Sequence, residues 1–184
     1  MDAWRPPAGG LPWQPDAVHV WLAMMPEGNR PAAHALSAAE RERAARFRFE
    51  RQRAEYVHHH QALREILSGY TGTPPESVAL ACGEKGKPAL DPPAAWRFNL
   101  SHSGPAALVA VAHELEVGVD IERIRPLAHA EAIAARFFAP AECAALQDLP
   151  AGQREAAFFA CWTRKEALLK ASGDGFSRPL SSFA

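Results

Sequence analysis

Cysteine is scarce in this chain of 184 residues, and the three present, Cys82, Cys143 and Cys161, are far apart and odd in number. That argues against a disulfide framework and a zinc cluster, and it fits a reducing cytoplasm. An excess of either charge is missing too: 20 Lys and Arg stand against 21 Asp and Glu, a net charge of −1. The chain is not built to coat nucleic acid, so any anion site must come from local clustering. No apolar run reaches membrane-spanning length. The opening stretch MDAWRPPAGGLPW has neither a basic nor an apolar region, so no secretory leader is expected. Tandem repeats and low-complexity tracts are lacking. What is present is an apolar content of 48%, enough for a real core, and 16 prolines, which predict stiff connections.

The apolar pattern predicts the elements. AVHVWLAMM alternates at Val18, Val20 and Leu22 and reads as a strand. Ser37 with Glu40 three residues on is a capping-box signature, so a short basic helix opens there. A second helix carries Tyr56, Leu63, Ile66, Leu67 and Tyr70 on one face, and TGTPP stops it. SVALACGEKGKPAL reads as a strand and a Gly–Pro turn. AWRFNLSHSG reads as a strand ending in a polar loop, and ALVAVA as a strand buried on both faces. VGVDIERI alternates again and reads as a strand. Helices follow at about 129–138, 141–149 and 153–172, the last ending at Gly173. GFSRPLSSF reads as the lead-in to another strand.

Several clusters bear chemistry, each with a plain alternative. Asp120 and Glu122 are two apart on a predicted strand, so both carboxylates project from one face. Paired acids on an apolar strand repel unless a cation joins them, and oxygen ligands suit Mg²⁺. Gly118 on that face would leave room for a ligand. The alternative is a solvated strand face. Glu166 and Lys170 have i, i+4 helical spacing, which serves either a surface ion pair or a catalytic pair. Ser101-His102-Ser103 lacks the G-x-S-x-G elbow of a serine hydrolase, and a phosphate-gripping loop fits it better. Arg41, Arg43, Arg46, Arg48, Arg51 and Arg53 form either a solvated helix face or a phosphate clamp. His58-His59-His60 cannot chelate one ion, because neighbours on a helix point about 100° apart.

These pieces stand in a telling order: GKPAL (86–90), FNLSHSG (98–104), GVDIE (118–122) and FFACWTRKEALLKASGDGF (158–176). The set resembles the 4′-phosphopantetheinyl transferases of the monomeric, surfactin-synthetase-activating type. The resemblance runs from the first strand to Phe183. It implies an α+β fold of two similar halves with pseudo-two-fold symmetry, here residues 1–104 and 105–184, with coenzyme A and Mg²⁺ at their junction. It also implies the reaction: a serine of an apo acyl or peptidyl carrier protein takes phosphopantetheine, and 3′,5′-ADP leaves. By motif position Asp120, Glu122 and Glu166 match the metal-binding acids, and Glu166 the candidate general base. Lys170 matches a lysine near the pyrophosphate. Lys87, Ser101 and His102 match residues that hold the nucleotide and its 3′-phosphate. Arg41 and Arg43 fall in the basic segment facing that phosphate, while Glu40 departs from the basic residue of some relatives. Gly173 and Gly175 would let the chain turn beneath the carrier serine. Family members continue past Pro179–Phe183 with further strands, so the second half is expected to be truncated. The expected protein is a cytoplasmic monomer without nucleic-acid or membrane partners. A non-catalytic relative binding coenzyme A or a carrier, and a Mg²⁺-dependent phosphohydrolase, are the competing readings.

Overall fold

Strand β1, Val18–Met24, forms where the alternation places it, but its core-facing side is the other one. Val18, Val20 and Leu22 are exposed, while His19 and Trp21 turn inward. Aromatic burial with hydrogen bonding outweighs aliphatic alternation here. Trp21 Nε1 donates to the Tyr70 hydroxyl at 2.9 Å, and His19 Nδ1 lies 2.7 Å from the same oxygen. The structure is a computed structural model that describes residues 16–28, 31–83, 86–173 and 178–184.

Helix α1, Ala38–Ala45, opens with the full capping box of Ser37 and Glu40. Helix α2, Glu50–Thr71, buries Leu63, Ile66 and Leu67 and ends at Gly72, whose φ of 68° is left-handed. Two short strands, β2 (Leu80–Cys82) and β3 (Pro88–Leu90), pair as a hairpin. Strands β4 (Trp96–Ser103) and β5 (Ala106–His113) follow, and the main sheet has the antiparallel order β1-β5-β4. Ser101, His102 and Ser103 therefore extend β4 rather than form a loop, each paired with a residue of β5. β5 is central, which accounts for its apolar character on both faces.

The sheet has two unlike sides. One packs Phe98, Val109 and Val111 against Leu63, Ile66 and Leu67 of α2. On the other, Ala110 and Ala112 meet Val117 and Val119. VGVDIERI is not a strand: residues 117–123 are extended without strand pairing. They lie over the β4 side chains instead of beside a strand edge, as the hydrogen bonds below establish.

Three helices follow: α3 (Ala130–Phe137), α4 (Pro140–Asp148) and α5 (Ala151–Ser172). Phe138, Phe158 and Phe159 form their core with Trp162 against it. On α5 the buried face holds Phe158, Phe159 and Leu169, while Leu168 is exposed. Gly173 ends α5 with a φ of 68°, as expected. The expected strand lead-in ends in a 3-10 turn at Leu180–Ser182, and Gly175 lies outside the described residues. A small antiparallel sheet with α2 packed on one side and three further helices after it is an α+β arrangement. Among the described residues, no helix is long and apolar enough to cross a membrane.

Candidate active site

Gly118 determines how close α5 can come. A Cβ built there would overlap the Ala167 carbonyl oxygen and the Ala171 amide nitrogen. The space expected for a ligand is filled by helix backbone. This contact, with no side chain between, brings the acids of 117–123 to the face of α5 carrying Glu166 and Lys170.

The segment is held by β4 side chains spaced two apart, which share one face. The amides of Val119, Ile121 and Arg123 donate to Asn99 Oδ1, Ser101 Oγ and Ser103 Oγ at 2.9, 3.3 and 3.0 Å. Ser101 Oγ donates to Asp120 Oδ1 at 2.7 Å, and Ser103 Oγ to Glu122 Oε2 at 3.0 Å. Asn99 and Ser101 are buried.

Lys170 does not pair with Glu166. Its ammonium reaches Asp120 Oδ1 at 2.6 Å and donates to Ser101 Oγ at 3.0 Å. Glu166 Oε1 is buried and, among the described residues, has no hydrogen-bond partner. Burial pushes the Glu166 carboxyl above its usual range; the Asp120 charge adds to this, Lys170 opposes it, and Glu122 adds a little more. Asp120, Glu122, Glu166, Lys170 and Ser101 thus gather in one place. Among the described residues, no three acid, His or Cys side chains close on a common metal position in this arrangement. Lys170 occupies one Asp120 oxygen and Ser103 one of Glu122's. The donor set still fits Mg²⁺: all oxygen, with one carboxylate oxygen orphaned, for an ion that takes one or two carboxylates and completes its shell with substrate phosphate and water. A cavity of about 170 Å³ opens beside Glu122, lined by Arg125, Leu127, Ile133, Phe159 and Trp162.

The other anticipated residues are dispersed around this centre. His102 points to the opposite side of β4 from Ser101 and stacks on His59, with ring centroids 4.8 Å apart and planes at 19°. Burial lowers the His102 basicity, and the nearby charges of His60 and Lys170 lower it further. Lys87 Nζ donates to Glu116 Oε2 at 2.8 Å and to the Ala171 carbonyl at 3.2 Å, at the C-terminal end of α5. Arg43 lies over the Tyr56 ring at 5.5 Å, and that ring meets His60 in a tilted contact with centroids 4.1 Å apart. Arg41 instead turns back to donate to the Leu36 carbonyl.

Sequence reasoning missed several residues. Glu40 takes Arg64 Nε at 2.5 Å and His60 Nδ1 at 3.0 Å, so the departure from a basic residue has a buried partner, Arg64. The His59 ring is a buried platform for His102. Lys165 is buried, 2.7 Å from Glu142, and donates to the Phe183 carbonyl. Asn99, Ser101 and Ser103 alternate with Phe98, Leu100 and His102, a visible signal of one polar strand face.

Two family models match the chain. Residues 13–114 match the family described as 4′-phosphopantetheinyl transferase, N-terminal. Residues 116–184 match the 4′-phosphopantetheinyl transferase superfamily. The chain is 40% identical to the 4′-phosphopantetheinyl transferase HetI of Nostoc sp., over 97% of this chain and 78% of that protein. It is 38% identical to 4′-phosphopantetheinyl transferase psf-1 of Bacillus pumilus, over 80% and 62% of the two chains. A 4′-phosphopantetheinyl transferase of Bacillus subtilis is 33% identical over 82% of this chain and 66% of its own length.

Proposed function

Because the chain belongs to the 4′-phosphopantetheinyl transferase superfamily, we propose that it moves 4′-phosphopantetheine from coenzyme A to a serine of an apo acyl or peptidyl carrier protein, with Mg²⁺. The serine oxygen attacks the β-phosphorus, the bond to the departing phosphate breaks, and 3′,5′-ADP leaves. The observation that carries this reading is the buried, unpartnered oxygen of Glu166 beside Asp120 and Glu122. An uncompensated carboxylate there is costly unless a cation or a proton donor meets it.

Asp120, Glu122 and Glu166 would hold the cation, which when bound supplies charge neutralisation to the diphosphate. Glu166, desolvated and short of a partner, is placed to accept the serine proton. Lys170 would trade Asp120 for phosphate oxygens, contributing fixed positive charge where negative charge builds. Ser101 orients Asp120 and Lys170 together. His102, supported by His59, and Lys87 are assigned to the nucleotide and its 3′-phosphate. Arg43 is assigned to the same phosphate through the Tyr56–His60 contact, and Arg41 would have to leave its Leu36 carbonyl to join it. Residues 1–104 thus serve the 3′-phosphate, and 105–184 the metal and the carrier, within the two-halved, pseudo-symmetric design. The apolar cavity beside Glu122 gives the carrier segment a seat.

Intact-mass measurement of an apo carrier incubated with coenzyme A and Mg²⁺ tests this. Transfer adds one phosphopantetheinyl group, and chelation of the metal abolishes the gain. An unmodified carrier with intact coenzyme A would point to a binding relative. An unmodified carrier with coenzyme A consumed would point to a hydrolase.

A further inference from the structure

The segment bearing Asp120 and Glu122 has no strand partner, yet its amides are satisfied at every second residue. Side chains of β4 replace the carbonyl row of a neighbouring strand. Both runs have the two-residue period of extended chain, so the match repeats without strain: Asn99 with 119, Ser101 with 121, Ser103 with 123. Asn99 accepts the Val119 amide. The two serines do more, because a hydroxyl can accept and donate at once. Once the Arg123 amide occupies a lone pair of Ser103 Oγ at 3.0 Å, the hydroxyl proton is free for Glu122 Oε2, also 3.0 Å away.

We infer that Ser103 is a positioning residue, which fixes the Glu122 carboxylate so that its other oxygen is presented to the cation. The inference rests on the proposed metal role of Glu122. Without Ser103, the glutamate keeps several rotamers and must be ordered when the ion arrives, which lowers affinity. Hydrogen-bonding partners behind metal ligands typically change metal affinity by 10–100-fold. Glu122 needs this help because it is only partly buried and, among the described residues, forms no ion pair such as the one Lys170 makes with Asp120.

Mn²⁺ binding to the nucleotide-free chain, read from the spectrum of free Mn²⁺ by electron paramagnetic resonance, tests it without turnover. Ser103→Ala should raise the Kd by about tenfold or more, and Ser103→Thr, which keeps the hydroxyl, should restore it. On a Glu122→Gln background, Ser103→Ala should have little further effect. Unchanged affinity in Ser103→Ala, with Glu122→Gln weakened, overturns the positioning role and leaves the metal assignment standing. Equal loss on both backgrounds also overturns it, since the serine would then act through the fold alone. Unchanged affinity in Glu122→Gln removes the premise and the inference with it. Should Ser103→Ala fail to fold, Ser103→Cys preserves the size with a weak donor, and wild-type affinity in that variant would overturn the inference.

Discussion

Gly118 has no Cβ, and α5 passes through the space one would fill. Gly118→Ala must therefore push the acid segment from α5, where Lys170 meets Asp120. Overpacking of this kind costs about 1–3 kcal/mol, and activity is more sensitive still, because small misplacement of reacting groups costs about a hundredfold. Thermal unfolding and a transfer assay check both effects. Glu166 makes the opposite demand. Its oxygen is buried and unpartnered, and its carboxyl resists ionisation. Glu166→Gln should leave the metal-free protein as stable or more stable, while transfer falls at least about a hundredfold. A purely structural glutamate would lose stability and keep its rate.

At the scale of elements, α2 carries two acid-sensitive contacts. Burial raises the Glu40 carboxyl, but hydrogen bonds from His60, the Ser37 amide and Arg64 overcome that and hold it at about 2, below its ordinary 4.5. A depressed carboxylate stabilises the fold above 4.5 and loses that contribution as the pH falls from 4.5 towards 2. His59 is held neutral, chiefly by burial and then by the charges of His102, His58 and His60, and its value falls from 6.5 to about 3. The unfolded chain binds that proton first, so stability declines as the pH drops from 6.5 towards 3, with a slope of up to about 1.4 kcal/mol per unit from this residue. Urea unfolding at stepped pH should show both windows. His59→Phe should flatten the upper one, and Glu40→Gln the lower one, the latter at a neutral-pH cost of about 3–5 kcal/mol because the buried Arg64 charge loses its carboxylate partner.

At the scale of the whole molecule, Lys170 ties α5 to the acid segment and to β4, across 50 and 69 residues of chain. It is itself a cation on the acid cluster. Lys170→Met should make metal-free protein less stable, yet increase the stabilisation that Mn²⁺ provides in a thermal-shift measurement, since the competing ammonium is gone. An unchanged Mn²⁺ response would deny that competition.

Much of this was legible in sequence. The capping box at Ser37, the two long helices, the buried character of ALVAVA and the shared face of Asp120 and Glu122 follow from local rules of spacing. What was hidden depends on distant partners. β1 turns Trp21 inward because Tyr70 is waiting there, and 117–123 forgoes strand pairing because β4 offers three side-chain acceptors. The i, i+4 rule paired Lys170 with Glu166 on one helix, but a nearer acid from another segment won.

The proposed metal site of the phosphopantetheinyl transfer centre comprises the acids around Lys170. The most direct measurement is the single-turnover rate of carrier modification at saturating Mg²⁺ for Asp120→Ala beside wild type, with circular dichroism to establish equal folding. The variant is expected to fold, with a rate at least about a hundredfold lower. Wild-type turnover in folded Asp120→Ala would contradict it.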